Sequence, residues 1–270
     1  NTGSMDWNNK MTELKKAAKN LLTTLQNSTA RPGDVKVSII PFHKEVRLDT
    51  SIFTHLNTWL KWEDWEDANQ TCTGKKKKEV CIPNLRTTWD GCIMDRDEPY
   101  DASDADPTSS ATKFPAKQCS YSLAPMLPLT NDWTALSNTI DSMNPDGNTN
   151  VSIGLQWAWH SLTSGDPFTQ AAAPAYDLSK YIILMTDGEN TENRWTRSSS
   201  SIDARTAATC AAVKAAGIKI YTIRVIDGDA TLLRNCASDP SMYFDVQNAT
   251  QLTSVFNSIG ATLARLHLSQ

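Results

Sequence analysis

The chain lacks any run of about 18 apolar residues, the length a membrane-spanning helix needs. It also lacks a basic excess: 26 lysines and arginines stand against 30 acidic residues, a net charge of −4 over 270 residues. A nucleic-acid binder would present a basic face, and nothing here supplies one. No C-x-x-C pair or Cys/His cluster has the spacing of a zinc site. H-E-x-x-H, the P-loop and G-x-G-x-x-G are all missing. Asn150-Val-Ser-Ile-Gly154 falls one glycine short of a G-x-S-x-G elbow, and no strand precedes it. His43, His55, His160 and His267 are scattered, as surface or packing histidines are. With no activated nucleophile to point to, these absences argue against an enzyme. The opening Asn-Thr-Gly-Ser-Met-Asp-Trp does not have the pattern of a secretory leader.

What is present is the composition of a globular protein, 40% hydrophobic and 21% charged. Six cysteines, at 72, 81, 92, 119, 210 and 236, make an even set. They predict disulfides and an oxidising compartment, periplasmic, cell-surface or extracellular; the alternative is six reduced, buried thiols. Pairing nearest neighbours within one region gives Cys72–Cys81, Cys92–Cys119 and Cys210–Cys236, a connectivity that sequence alone does not prove.

The pattern organises around residues 181–189, Tyr-Ile-Ile-Leu-Met-Thr-Asp-Gly-Glu. The unbroken apolar run predicts a strand buried on both faces. It ends at Asp187, where a carboxylate would reach the crevice in which open α/β sheets bind ligands. Asp-Gly is also an ordinary turn pair.

Helical spacing predicts a first helix over 9–25, with Met11, Leu14, Ala18, Leu21, Leu22 and Leu25 on one face and Lys10, Lys15, Lys16 and Lys19 on the other. Strands are expected over 35–42 and 46–48. From 130 onward the order is helix, loop, helix (151–162), strand, helix (202–216), strand (219–226), short helix (231–236), strand (243–246), helix. Asn248 and Gln251 form a capping-box pattern before the last helix. Such alternation means a doubly wound, mainly parallel Rossmann-like sheet flanked by helices. Residues 57–128 break the pattern. They hold Trp59, Trp62, Trp65, Trp89 and four of the six cysteines, with no long periodic segment, and are predicted to be an ordered insertion on the top or side of the sheet, near the loops described next. Any exposed tryptophan there would be a binding anchor. The lysine run at 75–78 fits a solvated loop tip.

Three loops carry hydroxyls or a carboxylate to that end of the sheet: Asn1-Thr2-Gly3-Ser4-Met5, Gly147-Asn148-Thr149-Asn150 and Thr186-Asp187-Gly188. Hard oxygens of this kind suit magnesium. Together the loops resemble the metal-ion-dependent adhesion site of von Willebrand factor type A (vWA) domains. The resemblance covers 1–56 and 129–270, and 57–128 would be an insertion within it. It implies that Thr2, Ser4 and Thr149, with Asp187 directly or through water, hold Mg2+ (or Mn2+ or Ca2+), and that the metal takes an acidic side chain of a protein partner. The family's leading aspartate and its first strand would lie before Asn1. The chain is therefore expected to begin just past that strand, with a weak or empty site. More narrowly, the Trp/Cys-rich insertion and the segment 210–236 are similar to TadG-like (tight-adherence) bacterial pilus assembly proteins, which carry a membrane anchor outside this chain. A structural module with degenerate loops, or a metal-dependent hydrolase, are the alternatives.

Overall fold

The computed structural model describes residues 2–74, 79–176 and 178–268, with backbone alone for 266–268. Asn1, the lysine run at 75–78, and the side chains of Leu266 and His267 lie outside the described residues. In chain order the elements are α1 (Lys10–Ser28), β1 (Val37–Ile39), β2 (Val46–Arg47), β3 (Leu60–Lys61), α2 (Glu63–Ala68), β4 (Gln70–Thr73), β5 (Val80–Pro83), β6 (Cys92–Ile93), β7 (Phe114–Lys117) and β8 (Leu127–Thr130). There follow α3 (Trp133–Ser142), α4 (Val151–Leu162), β9 (Tyr181–Thr186), α5 (Ser199–Ala215), β10 (Lys219–Val225), α6 (Ala230–Cys236), β11 (Tyr243–Val246) and α7 (Leu252–Leu268).

Strands β9, β10 and β11 form a parallel sheet with β10 central, in register from Lys219 opposite Tyr181 to Arg224 opposite Thr186. Side chains alternate across it, as strand geometry requires. Ile182, Leu184 and Ile220 pack with Ile153, Leu155 and Trp157 of α4, Val213 of α5 and Leu233 of α6. On the other face Tyr221, Ile223 and Val225 meet Ala17, Leu21 and Leu25 of α1 and Leu252, Phe256 and Ile259 of α7. The sheet is thus doubly wound. The expected burial of β9 on both faces needs correction. Its even-numbered residues are buried, but Tyr181, Ile183 and Met185 are half-buried.

A second, antiparallel pair joins β1 to β8. It is shorter than the strand expected over 35–42, because pairing stops at Ile39, two residues before Pro41. Helix α3 covers this pair through Leu136 and Ile140. Leu14 and Ala18 of α1 touch both this cluster and the one beneath the parallel sheet, so α1 straddles the two sheets. Asp132 caps α3 by accepting from Ala135 N–H, and the Asn248/Gln251 capping box is formed.

The segment 57–128 is more regular than its sequence suggests. Strands β6, β7 and β3 join β2 in a four-stranded sheet ordered β2-β6-β7-β3. Its tryptophans are not surface anchors: Trp59, Trp62, Trp65 and Trp89 are all buried. Trp62 meets Trp65 and Trp89 edge-on at 5.6 and 5.5 Å between centroids. Phe114 lies 4.7 Å from the Trp157 ring of α4, so the insertion shares one apolar cluster with the parallel sheet. Large aromatic areas can close a core without long elements.

A buried arginine completes it. Arg96, fully buried, donates to the carbonyls of Ala105 (2.6 Å), Thr112 (2.9 Å) and Ser103, and meets His160 Nε2 at 3.2 Å. Burial lowers its pKa to about 10, and the Phe114 ring lies beneath the guanidinium at 4.7 Å.

The disulfides are Cys72–Cys81, Cys92–Cys119 and Cys210–Cys236. The first crosses the exposed β4–β5 hairpin, the second closes the loop from β6 past β7, and the third ties α5 to α6. Among the described residues no helix is long and apolar enough to cross a membrane.

Candidate metal centre

Three loops meet at the carboxyl end of β9. The first is a turn of 3-10 helix, Gly3–Asp6. It is fastened to the second loop when Gly3 N–H donates to the Gly147 carbonyl at 3.0 Å. The Thr2 hydroxyl donates to Asp187 Oδ1 at 3.0 Å and the Ser4 hydroxyl to the same oxygen at 2.7 Å. The two hydroxyl oxygens are 3.0 Å apart. Thr2, Thr149 and Asp187 are buried.

Thr149 is held by its backbone. Its N–H donates to Thr191 Oγ1 at 2.9 Å, and its carbonyl accepts from Thr191 N–H at 2.9 Å. Asn190 secures the start of α4 by accepting from Val151 N–H at 2.8 Å. The Thr149 hydroxyl and Ser4 hydroxyl both border Gly188: a Cβ built there would lie 3.6 Å and 3.2 Å from them. The space above Gly188 is therefore a small cradle rimmed by oxygens. Ser4 and Thr149 border it directly, Asp187 precedes Gly188 in the chain, and Thr2 joins them through its hydrogen bonds to Ser4 and Asp187; every donor is a hard oxygen. Such a set of oxygens suits a hard divalent cation.

Sequence reasoning missed Lys10. Its ammonium sits 2.9 Å from Asp187 Oδ2, the oxygen not used by Thr2 and Ser4, and 3.5 Å from Asp227 Oδ2. The residue is only 2% exposed. Grouping it with Lys15, Lys16 and Lys19 on a solvent face was the error. Lys10 stands four residues before Leu14 and seven before Ala17, which puts it on the apolar stripe, and that phase was the available signal. Asp227 comes from the loop after β10, where Ile226 adopts a left-handed φ of 68°. For a β-branched residue this is a strained conformation.

The insertion reaches the same loops. Asp95, buried, accepts from Asn150 Nδ2 at 3.0 Å on both carboxylate oxygens and from Arg194 N–H at 3.2 Å. Burial pushes its pKa up to about 6 against those hydrogen bonds. Arg194 in turn donates to the Asp95 carbonyl (3.1 Å), Asp97 (2.7 Å) and Asp64 (2.6 Å). On the other side of the second loop, the His43 carbonyl accepts from Asn150 N–H at 3.0 Å. The His43 ring accepts from Glu45 N–H through Nδ1 at 3.0 Å. Burial holds that ring neutral, with its pKa lowered to about 4. Two tryptophans are exposed in the loops around the site: Trp7, at 71%, just after the first loop, and Trp195, at 44%, in the continuation of the third.

A family model for the von Willebrand factor type A domain matches residues 105–258, more than half of the chain. The match includes Thr149 and Asp187 but not Thr2 and Ser4. Two crystal structures of the pilus adhesin SpaC from Lactobacillus rhamnosus GG superpose on this chain with TM-scores of 0.53 and 0.52 at 15% identity, over 97% and 98% of its length. Proximal thread matrix protein 1 from the mussel byssus aligns over 53% of the chain at 19% identity, with a TM-score of 0.41, too low to carry an argument. The chain spans about a third of the length of these structures, 29% of SpaC and 34% of the byssus protein. Among curated proteins none matches. The family match, the doubly wound sheet and the three loops at its carboxyl end agree: the chain belongs to the von Willebrand factor type A domain family.

Proposed function

We propose that this chain is a non-enzymatic adhesion module. In this reading a divalent cation, magnesium before manganese or calcium, is held by Thr2, Ser4, Thr149 and Asp187, and it takes an acidic side chain from a protein partner. The observation that carries it is the convergence of two hydroxyls on one carboxylate oxygen from 185 and 183 residues away in sequence. A cation there would supply concentrated positive charge, and Thr2, Ser4 and Thr149 bring oxygens but no charge to offset it. Trp7 and Trp195 are the exposed aromatic groups suited to flank such a contact. Three disulfides support a place outside the cytoplasm, at the cell surface or in a periplasm. Within that setting we favour a role in bacterial pilus assembly of the TadG-like kind.

Titration calorimetry with Mg2+ and Mn2+ tests the reading. Binding in the native chain that is lost in Asp187→Ala, together with loss of metal-dependent partner binding, is the expected result. Unchanged metal and partner binding in Asp187→Ala refutes it. The second reading is a scaffold with a degenerate site. It draws support from Lys10, whose ammonium already pairs with Asp187.

A further inference from the structure

Lys10 is placed too deliberately to be a surface lysine. It opens α1, and the two residues before it, Asn8 and Asn9, both take left-handed φ, 56° and 57°. Two consecutive residues in that region cost backbone energy, which asparagine tolerates better than most. The resulting kink starts the helix with Lys10 facing Asp187 instead of solvent. The lysine and aspartate side chains are 3% and 1% exposed. The ammonium also reaches the Ser4 carbonyl at 3.5 Å, so it touches the first loop, the third loop and, through Asp227, the loop after β10. It occupies Oδ2 and leaves Oδ1 to the hydroxyls of Thr2 and Ser4.

We propose that Lys10 sets the strength of the cation site: it fixes the orientation of Asp187 and neutralises its carboxylate, so that a dication on the Oδ1 side is bound weakly and exchangeably. This rests on the metal-binding reading above for its second half only. A buried carboxylate needs a counter-charge, and Lys10 supplies one that cannot diffuse away. A dication approaching Oδ1 then meets a buried carboxylate already paired with a fixed ammonium; Asp227, the second carboxylate on that ammonium, is exposed and its charge is screened by water, whereas repulsion between buried charges is several-fold stronger than in bulk water. The site would be tuned for a metal that comes and goes with its concentration.

Lys10→Met keeps the apolar stem and removes the charge; Lys10→Gln is the fallback that keeps a hydrogen-bond donor. Mn2+ is titrated calorimetrically into the native chain and into each variant. The expected result is a dissociation constant at least tenfold lower than that of the native chain. A constant unchanged or raised in a folded variant overturns the proposal. A double-mutant cycle in chelator reads the counter-charge without any metal. Lys10→Met alone should lower Tm by several degrees, and adding Asp187→Asn should restore most of the loss. No restoration overturns the pairing role. If neither the native chain nor Lys10→Met binds Mn2+ at millimolar concentration, the metal-binding reading fails and with it the tuning half of this proposal, while the cycle still decides whether Lys10 is the counter-charge of Asp187.

Discussion

The parallel sheet and the insertion are ordered by different physics. Strands β9 to β11 repeat one interaction many times, a backbone ladder with apolar residues alternating to either face. Losing one contact there leaves the rest of the pattern intact. The insertion has strands of two to four residues and depends on singular contacts: one buried guanidinium on three carbonyls, two disulfides and a tryptophan cluster. Single substitutions should therefore weigh more in the insertion than in the sheet, although the sheet is the larger framework.

The harshest way to break this contrast is Arg96→Met. The variant leaves the Ser103, Ala105 and Thr112 carbonyls without their donor in a dry setting, which should cost roughly 3–5 kcal/mol. An Ile183→Val change in β9 should cost only about 0.5–1.5 kcal/mol. Denaturant melts of the two variants give the ratio, and similar losses would mean that the insertion is as redundant as the sheet.

Next comes the disulfide pair within the insertion. Cys92–Cys119 closes a span of 27 residues and Cys72–Cys81 a span of 9. Chain-entropy reasoning gives about 3.6 kcal/mol for the first and about 2.6 for the second. The difference in what the bonds hold is larger. Cys92 is fully buried beside Trp89, whose indole N–H donates to its carbonyl, whereas both strands of the β4–β5 hairpin are exposed. Replacing Cys92 and Cys119 by serine should lower the global Tm. The same change at Cys72 and Cys81 should show mainly as faster hydrogen exchange in the hairpin.

A finer test uses pH. Asp95 has its pKa raised to about 6 from an ordinary 3.8. The folded state therefore binds its proton more tightly than the unfolded state does. The associated stability is fully present below pH 3.8 and is lost as pH rises through 6, a change of about 3 kcal/mol by linkage. Asp95→Asn has no such titration. Its stability relative to the native chain should thus improve by about that amount between pH 3.5 and 7.5, as read from urea melts at each pH. A difference that stays flat with pH would show that Asp95 does not titrate in this window. The mildest expected effect is at Trp195→Ala, which should change stability by no more than about 0.5 kcal/mol while weakening partner binding.

What could be read in the sequence follows the same division. Periodic segments announced themselves: α4, β9 and β11 lie where spacing put them, because a repeated interaction leaves a repeated pattern. Cysteine proximity led to the three pairs for a related reason, since each bond closes a local span. Of the residues named for the site, Thr2 and Ser4 meet Asp187 and Thr149 lies beside Ser4 across Gly188, but the first of the loops is recognisable only from its motif. What stayed hidden depends on single side chains reaching across the fold. Nothing around Arg96 in the sequence distinguishes a buried arginine from a surface one. Trp62 and Trp65 look like potential anchors until their mutual packing is seen. Lys10 was disguised by its neighbouring lysines, although its helical phase gave it away.

Arg194 has a consequence for inheritance. One side chain from the loop after β9 grips Asp64 and Asp97 of the insertion, while its own backbone N–H is held by Asp95. A recombination event that exchanged residues 57–128 for a foreign segment would deliver a cassette without those three acids in place. The recipient would then inherit a guanidinium stripped of both its carboxylate partners and a loosened loop after β9. Position 194 and positions 64 and 97 are thus constrained as a matched set, the charge at one end suited to the charge at the other.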